Sequence, residues 1–479
     1  MLLAIAASAV AVLAATWAAA ASGASHVYVT AWCAKLVDEY NAGPLGRLTK
    51  FGSVNAGDLE PWYMAMTSNA RNLYLTTFAG NDLEAFTVLP SGGLLHKNAA
   101  HGGETPAGTQ PVDVAVSPDN KNAYAVNYNG AGSVWIYDLA ADGSVKAHSP
   151  ASMPAGNGPY GVAVSRDGKS VYVASQDNNI YEFNRGPKGG LGAKEPPSVT
   201  AKALGSGSTP DYLVLTPDGK HLYSANYNDS SIGIFNVGPG GVLTEQPDSP
   251  IASGYGFYEM AMSPNGKSLY AASNTEGKVY LYNVGADGFL HPKTPGTKQA
   301  GTYLDGIWLS PNGKNAYVAN IATYTAGCYQ TYNVAQFTVG LAGGLIAKSP
   351  PTAATDNYPA AIIVAPDQSP IARFTWSHKR GLTKSFNASA SSDPGGRIAR
   401  YEWHFGDGAG ALNGGATPKH TYAQPGKYNV TLVVFDGAGC STAMVWTGHT
   451  AYCSGNPRAH VTYSVNVRPK KKHKKHKHH

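Results

Sequence analysis

Charge is scarce in this chain. Only 14% of its 479 residues are Asp, Glu, Lys or Arg, which argues against a helical or a disordered protein. Cysteine occurs four times, as Cys33, Cys328, Cys440 and Cys453, without the spacing of a zinc site. There is no Gly-x-Ser-x-Gly elbow, no His-Glu-x-x-His and no phosphate-binding glycine loop. The local signatures of esterase, zinc-protease and nucleotide chemistry are therefore missing. No Lys or Arg precedes Lys35.

Glycine and tyrosine, in contrast, are abundant, at 56 and 29 residues. The tyrosines are periodic. Tyr28, Tyr74, Tyr124, Tyr172, Tyr223, Tyr270 and Tyr317 recur at intervals of 46 to 51 residues, each in a short apolar stretch. A repeat of that length built from short strands is the signature of a β-propeller, because one four-stranded blade cannot bury both faces alone. Each unit reads as a short apolar strand, a turn such as Pro217-Asp218-Gly219-Lys220, the Tyr strand, a polar connection, and a third strand ending on an aromatic residue. Proline, Asp and Gly each favour a different position of such a turn. The first copy lacks its first strand and the last copy lacks its second. Joining them predicts a ring of seven blades closed by the two ends of the repeat region, with no open sheet edge. The periodic Tyr and Phe side chains are expected to pack between blades.

Residues 2–21 are almost wholly apolar, and Ser22-Gly23-Ala24 follow as small residues. This predicts export with a signal peptide over residues 1–24, the alternative being an uncleaved anchor. Cysteines fit an oxidising compartment. Cys33 follows the first blade strand and Cys328 sits in the corresponding connection of the neighbouring blade, so the expected bridges are Cys33–Cys328 and Cys440–Cys453. The alternative is four buried thiols. Residues 469–479 hold six Lys and four His and no apolar side chain, a composition expected to be disordered. Without those lysines the formal charge of +6 falls to zero. Such a tail suits an anionic envelope polymer through charge, with no specific nucleic-acid recognition, or simply aids solubility.

The repeat stops near Asp367. Beyond it, Tyr401-Glu402-Trp403-His404-Phe405-Gly406-Asp407-Gly408, His420-Thr421-Tyr422 and Tyr428-Asn429-Val430-Thr431-Leu432 resemble a PKD domain, and so imply an immunoglobulin-like β-sandwich over residues 368–468. Tyr401, Trp403 and Phe405 alternate onto one strand face and are expected to fill its core. Asp407 is expected to stabilise a turn. The stretch from Cys440 to Cys453 departs from the PKD pattern as an inserted loop. The fold class is therefore all-β, a seven-bladed propeller over residues 25–367 followed by the sandwich.

His26-Val27-Tyr28-Val29-Thr30 and the Ser-Pro-Asp-Gly-Lys-type turns make the propeller similar to the seven-bladed lactonase or YVTN family, which includes 6-phosphogluconolactonase-like enzymes and surface proteins. That resemblance implies a catalytic role for Glu259, which matches the position of the family's glutamate. The family's histidine run has no match, because the fourth blade reads Gly158-Pro159-Tyr160-Gly161-Val162. The propeller's own histidines fall outside the segments that enter the inner strands.

Those entering segments, together with the connections between second and third strands, share one face. They bring together Trp62, Tyr63, Asp113, Tyr160, Asp211, Tyr212, Tyr258 and Asp305, with Asn127, Tyr128, Asn226 and Tyr227. Aromatic rings beside amides and carboxylates suit an extracellular glycan or protein ligand. The expected function is a secreted or surface-associated binding or adhesion protein, with extracellular lactonase-like hydrolysis as the alternative. No cofactor or metal is expected.

Overall fold

The structure is a computed structural model that describes residues 25–57, 60–97, 105–129, 131–205, 207–321 and 332–469. The apolar leader, Cys328 and nearly all of the Lys/His tail lie outside the described residues.

Seven antiparallel sheets surround one axis. Blade 1 joins the two ends of the repeat region: the inner strand Pro359–Val364 pairs with Ser25–Ala31, which continues to Leu36–Ala42 and Leu48–Asn55. Val27 pairs with Val364, Tyr28 with Ile363 and Val29 with Ile362, so the ring is closed as the repeat predicts. The inner strands of blades 2 to 7 are Pro61–Met66, Pro111–Val116, Pro159–Val164, Pro210–Leu215, Phe257–Met262 and Tyr303–Leu309. Every inner strand is apolar along most of its length, as expected for strands buried on both faces.

The periodic tyrosines do more than pack. Each hydroxyl donates to a glycine carbonyl in the next blade: Tyr28 to Gly92, Tyr74 to Gly143, Tyr124 to Gly189, Tyr172 to Gly241, Tyr223 to Gly288 and Tyr270 to Gly343, at 2.7 to 3.1 Å. The series closes on itself when Tyr317 donates to Gly46 at 2.9 Å. These glycines all have positive φ, between 67° and 95°, a conformation that a side chain resists. One residue type at one position therefore stacks the blades and fixes their order. Tyr223→Phe leaves the Gly288 carbonyl without its donor and is expected to lower stability by about 1 kcal/mol, read from a shifted denaturation midpoint. An unchanged midpoint would show that the hydroxyl contributes nothing beyond the ring.

The turns are equally regular. In Ser117-Pro118-Asp119, Ser165-Arg166-Asp167, Thr216-Pro217-Asp218, Ser263-Pro264-Asn265 and Ser310-Pro311-Asn312, the hydroxyl donates to the Asp or Asn side chain, which also accepts the amide two residues on. This is the Asx arrangement that selects these residue types in turns.

The sandwich packs the sheet of Thr375–Trp376, Thr383–Asn387 and Lys419–Thr421 against that of Ile398–His404, Gly410–Ala411, Gly426–Asp436 and His460–Val467. Trp403, Phe405, Phe374, Phe386, Tyr422 and Leu432 form its core. Tyr401, also expected there, is only partly buried at its edge. Asp407 accepts the Ala409 amide and pairs with His420 at 2.7 Å, consistent with its turn role.

Candidate functional site at the propeller axis

In all seven blades the pairing of inner and second strands shifts register near the start of the inner strand. Such bulges re-aim side chains. Here they let two consecutive residues of one strand contribute to the axis, and so create two stacked layers.

The outer layer, at the mouth, contains Trp62, Tyr160, Asp211, Tyr258 and Asp305. Tyr160 of blade 4 meets Tyr258 of blade 6 at 6.4 Å between ring centroids. The rings continue outward to Tyr128, 5.7 Å from Tyr160, and to Tyr227, 5.0 Å from Tyr258. On the other side Trp62 meets Trp32 at 5.9 Å and Phe78 at 5.6 Å, and Trp32 meets Tyr358 at 5.0 Å. Asp211 accepts from Gln176 and Asp305 from Asn274. Burial pushes both carboxyls up to about 7, because removal from water disfavours the charged form.

The inner layer contains Tyr63, Asp113, Gly161, Tyr212, Glu259, Gly306 and Ala361. The small residues Gly161, Gly306 and Ala361 leave room for the larger side chains that cross the axis. Tyr63 and Tyr212, from blades 2 and 5, stack at 6.1 Å. A Cβ on Gly161 would lie 2.4 Å from the Asp211 carbonyl, and one on Gly306 would lie 2.8 Å from Glu259 Oε2. Glu259 Oε2 accepts the Ile307 amide at 3.1 Å, and Tyr212 donates to its Oε1 at 3.5 Å. Asp113 Oδ2 accepts the Val162 amide at 2.9 Å. Both acids thus pin one inner strand to the next. Glu259 is 2% exposed, and burial holds its carboxyl well above the usual range. Among the described residues it meets no Lys or Arg ion pair.

The imidazole that the propeller's inner-strand segments lack comes from the other domain. His449, in the loop of the sandwich, is buried with Nε2 3.1 Å from Asp113 Oδ2 and Nδ1 3.5 Å from the Tyr212 hydroxyl. Its ring lies flat on Tyr212, 4.7 Å between centroids. Sequence reading confined histidine to the propeller and so missed it. The available signal was an inserted loop carrying Val445, Trp446, His449 and Tyr452, too apolar to stand in water unpartnered.

The expected ligand residues therefore divide. Tyr63, Asp113, Tyr212 and Glu259 are enclosed in the channel. Asn127 and Asn226 are turned inward: Asn127 donates to the Ala107 and Thr109 carbonyls, and Asn226 bonds Ser231 and Ser224. This corrects their expected place on the ligand face: both are buried and their amide N–H groups are taken up within the chain. Tyr128 and Tyr227 remain at the surface, above Trp62, Tyr160 and Tyr258. Of the expected bridges, Cys440–Cys453 is present. Cys33 is disulfide-bonded, while Cys328 lies outside the described residues.

Two grooves on the opposite face lie between blades 4 and 5, lined by Ser165 and Asp218, and between blades 6 and 7, lined by Ser263 and Asn312. They occupy equivalent positions of the repeat, and the groove at blades 6 and 7 is also walled by Ala438, Gly439, Val445 and Cys453 of the sandwich.

Comparison with known proteins agrees with this architecture. A family model described as "Lactonase, 7-bladed beta-propeller" matches residues 3–295 and 163–374, and a PKD domain model matches residues 367–450. A putative 6-phosphogluconolactonase from Bacteroides fragilis superposes with a TM-score of 0.61 at 19% identity, over 71% of this chain and 98% of that one. The periplasmic gluconolactonase of Pseudomonas aeruginosa gives 0.59 at 18% identity, over 71% and 99%. A microbial collagenase of Vibrio alginolyticus is 33% identical over 78 residues, 16% of this chain and 9% of that protein's length. The chain belongs to the seven-bladed β-propeller lactonase family and carries a PKD domain behind the propeller.

Proposed function

We propose that the protein acts outside the cell as a binding protein, and that its ligand is a glycan held on the aromatic mouth of the propeller. The carrying observation is the continuous run Tyr128, Tyr160, Tyr258 and Tyr227 set over a channel already filled by Tyr63, Tyr212 and His449. These rings can stack on sugar faces while the exposed amides of Asn129 and Asn228, next to Tyr128 and Tyr227 in the chain, bond hydroxyls. The PKD domain, the similarity to a segment of a collagenase and the disulfides support an extracellular setting.

Lactone hydrolysis is the second reading, favoured by the family and by Glu259. General acid–base work needs a titratable group within reach of substrate, and Glu259 is enclosed and already bonded to Ile307 and Tyr212. Glycan-array binding is expected for the full chain and is expected to fall at least tenfold in Tyr128→Ala/Tyr227→Ala. A flat array alongside capture of a defined protein partner would reject the glycan. Lactone turnover abolished by Glu259→Gln would favour the hydrolase.

A further inference from the structure

Between the strands Gly426–Asp436 and His460–Val467 the sandwich sends out a loop tied at its base by the Cys440–Cys453 disulfide. The tip enters the propeller at the turn end of its channel, opposite the mouth. Four consecutive residues then meet four consecutive blades in reverse order. The Thr447 carbonyl accepts from Leu215 N of blade 5 at 2.9 Å, Gly448 from Val164 N of blade 4 at 2.8 Å, and His449 from Val116 N of blade 3 at 3.2 Å. Thr450 Oγ1 accepts from Met66 N of blade 2 at 2.9 Å. Each donor is the last amide of its inner strand.

The side chains follow the same path. Trp446 is fully buried and its Nε1 donates to the Val164 carbonyl at 2.7 Å. Tyr452 packs on Trp308 of blade 7, 5.7 Å between centroids, and its carbonyl accepts from Asp367 N at the exit of blade 1. Gly448, at φ 124°, lets the chain cross the axis where a Cβ would come within 3.1 Å of Ala163. The loop thus supplies protein acceptors to inner-strand amides that would otherwise depend on water.

We propose that this loop is an intramolecular plug that seals the turn end of the propeller channel and fastens propeller and sandwich into one body that unfolds in a single step. The channel is then blind, and a ligand reaches the axis only from the mouth. The plug also underpins the inner layer, since His449 carries Tyr212, which carries Tyr63.

The test uses the full chain, followed by calorimetry and by hydrogen exchange read with mass spectrometry. The native protein is expected to show one calorimetric transition, with the inner strands of blades 3, 4 and 5 protected until it. In Trp446→Gly/His449→Gly/Tyr452→Gly those strands are expected to exchange at least tenfold faster, while the outer strand Leu191–Thr200 is unchanged, and the transition is expected to split in two. Should that variant not fold, His449→Ala alone decides. It is expected to speed exchange in the strand Pro111–Val116, whose Asp113 loses the imidazole contact, and to leave Leu191–Thr200 as before. Two transitions in the native protein, or unchanged inner-strand exchange in whichever variant folds, would overturn the plug.

Discussion

Asp305→Asn is expected to stabilise the propeller, and increasingly so as pH rises. Asp305 and Asp211 have carboxyls pushed up to about 7 by burial, against an ordinary 3.8. The folded state therefore holds these protons over a range in which the unfolded chain has released them. The stabilising contribution of the neutral form is complete below the unfolded value and is lost as pH rises through the folded one. Stability should fall between about pH 4 and 7 by about 1.4 kcal/mol per pH unit for each group, approaching about 4 kcal/mol, and level off above. Asparagine keeps an oxygen for Asn274 and cannot ionise. The difference between Asp305→Asn and the native protein should thus be small near pH 4 and largest at pH 8, with Asp211→Asn behaving alike. Glu182, Asp367 and Asp436 are also held up, to about 7, 8 and 6, so the native profile alone would not single out the mouth. The variant-minus-native difference does. Denaturation midpoints that run parallel from pH 5 to 8 would refute a buried, proton-holding Asp305.

Trp403→Ala is expected to destabilise the sandwich by about 3–5 kcal/mol, the usual range for emptying a buried aromatic site. Trp403 is fully buried. Its ring meets Phe374 at 5.1 Å, Phe386 at 5.5 Å and Phe405 at 6.2 Å. Its Nε1 donates to the Gly415 carbonyl at 2.9 Å, so truncation removes packing and strands an acceptor together. Trp403→Phe should retain most of the packing and lose less. Urea midpoints for the two variants test this ordering. Equal losses would mean that the hydrogen bond, not the ring, holds the core.

The propeller was legible in the sequence because its determinants are local and repeated. The tyrosine, the Asp or Asn of the turn and the glycine that receives the hydroxyl each recur at one place in every unit, and a period of that kind survives any single irregular copy. The mouth was legible for the same reason: topology alone gathers Trp62, Tyr160, Asp211, Tyr258 and Asp305. Two things were not. A proline opens five of the seven inner strands, where the bulge falls, but it marks the bulge without saying which neighbouring side chain lies deeper, so Tyr63 and Tyr212 were not separated from Tyr160 and Tyr258 as a second layer. The approach of His449 to Asp113 joins residues 336 apart in different domains, and no period or spacing links them. Asn127 and Asn226 misled because an amide in a polar connection reads alike whether it faces solvent or the chain behind it.

The hydroxyl-to-glycine contact is identical at each joint, so nothing in a joint itself counts to seven. An array with one unit more or fewer would keep every such contact intact. What it would change is the bore. Tyr63 and Tyr212 reach each other, and four successive loop residues land on four successive sectors, only at this circumference. The number of sectors is thus gauged from the centre, by what must fit there, and duplication or loss of a unit would be felt first at the hub.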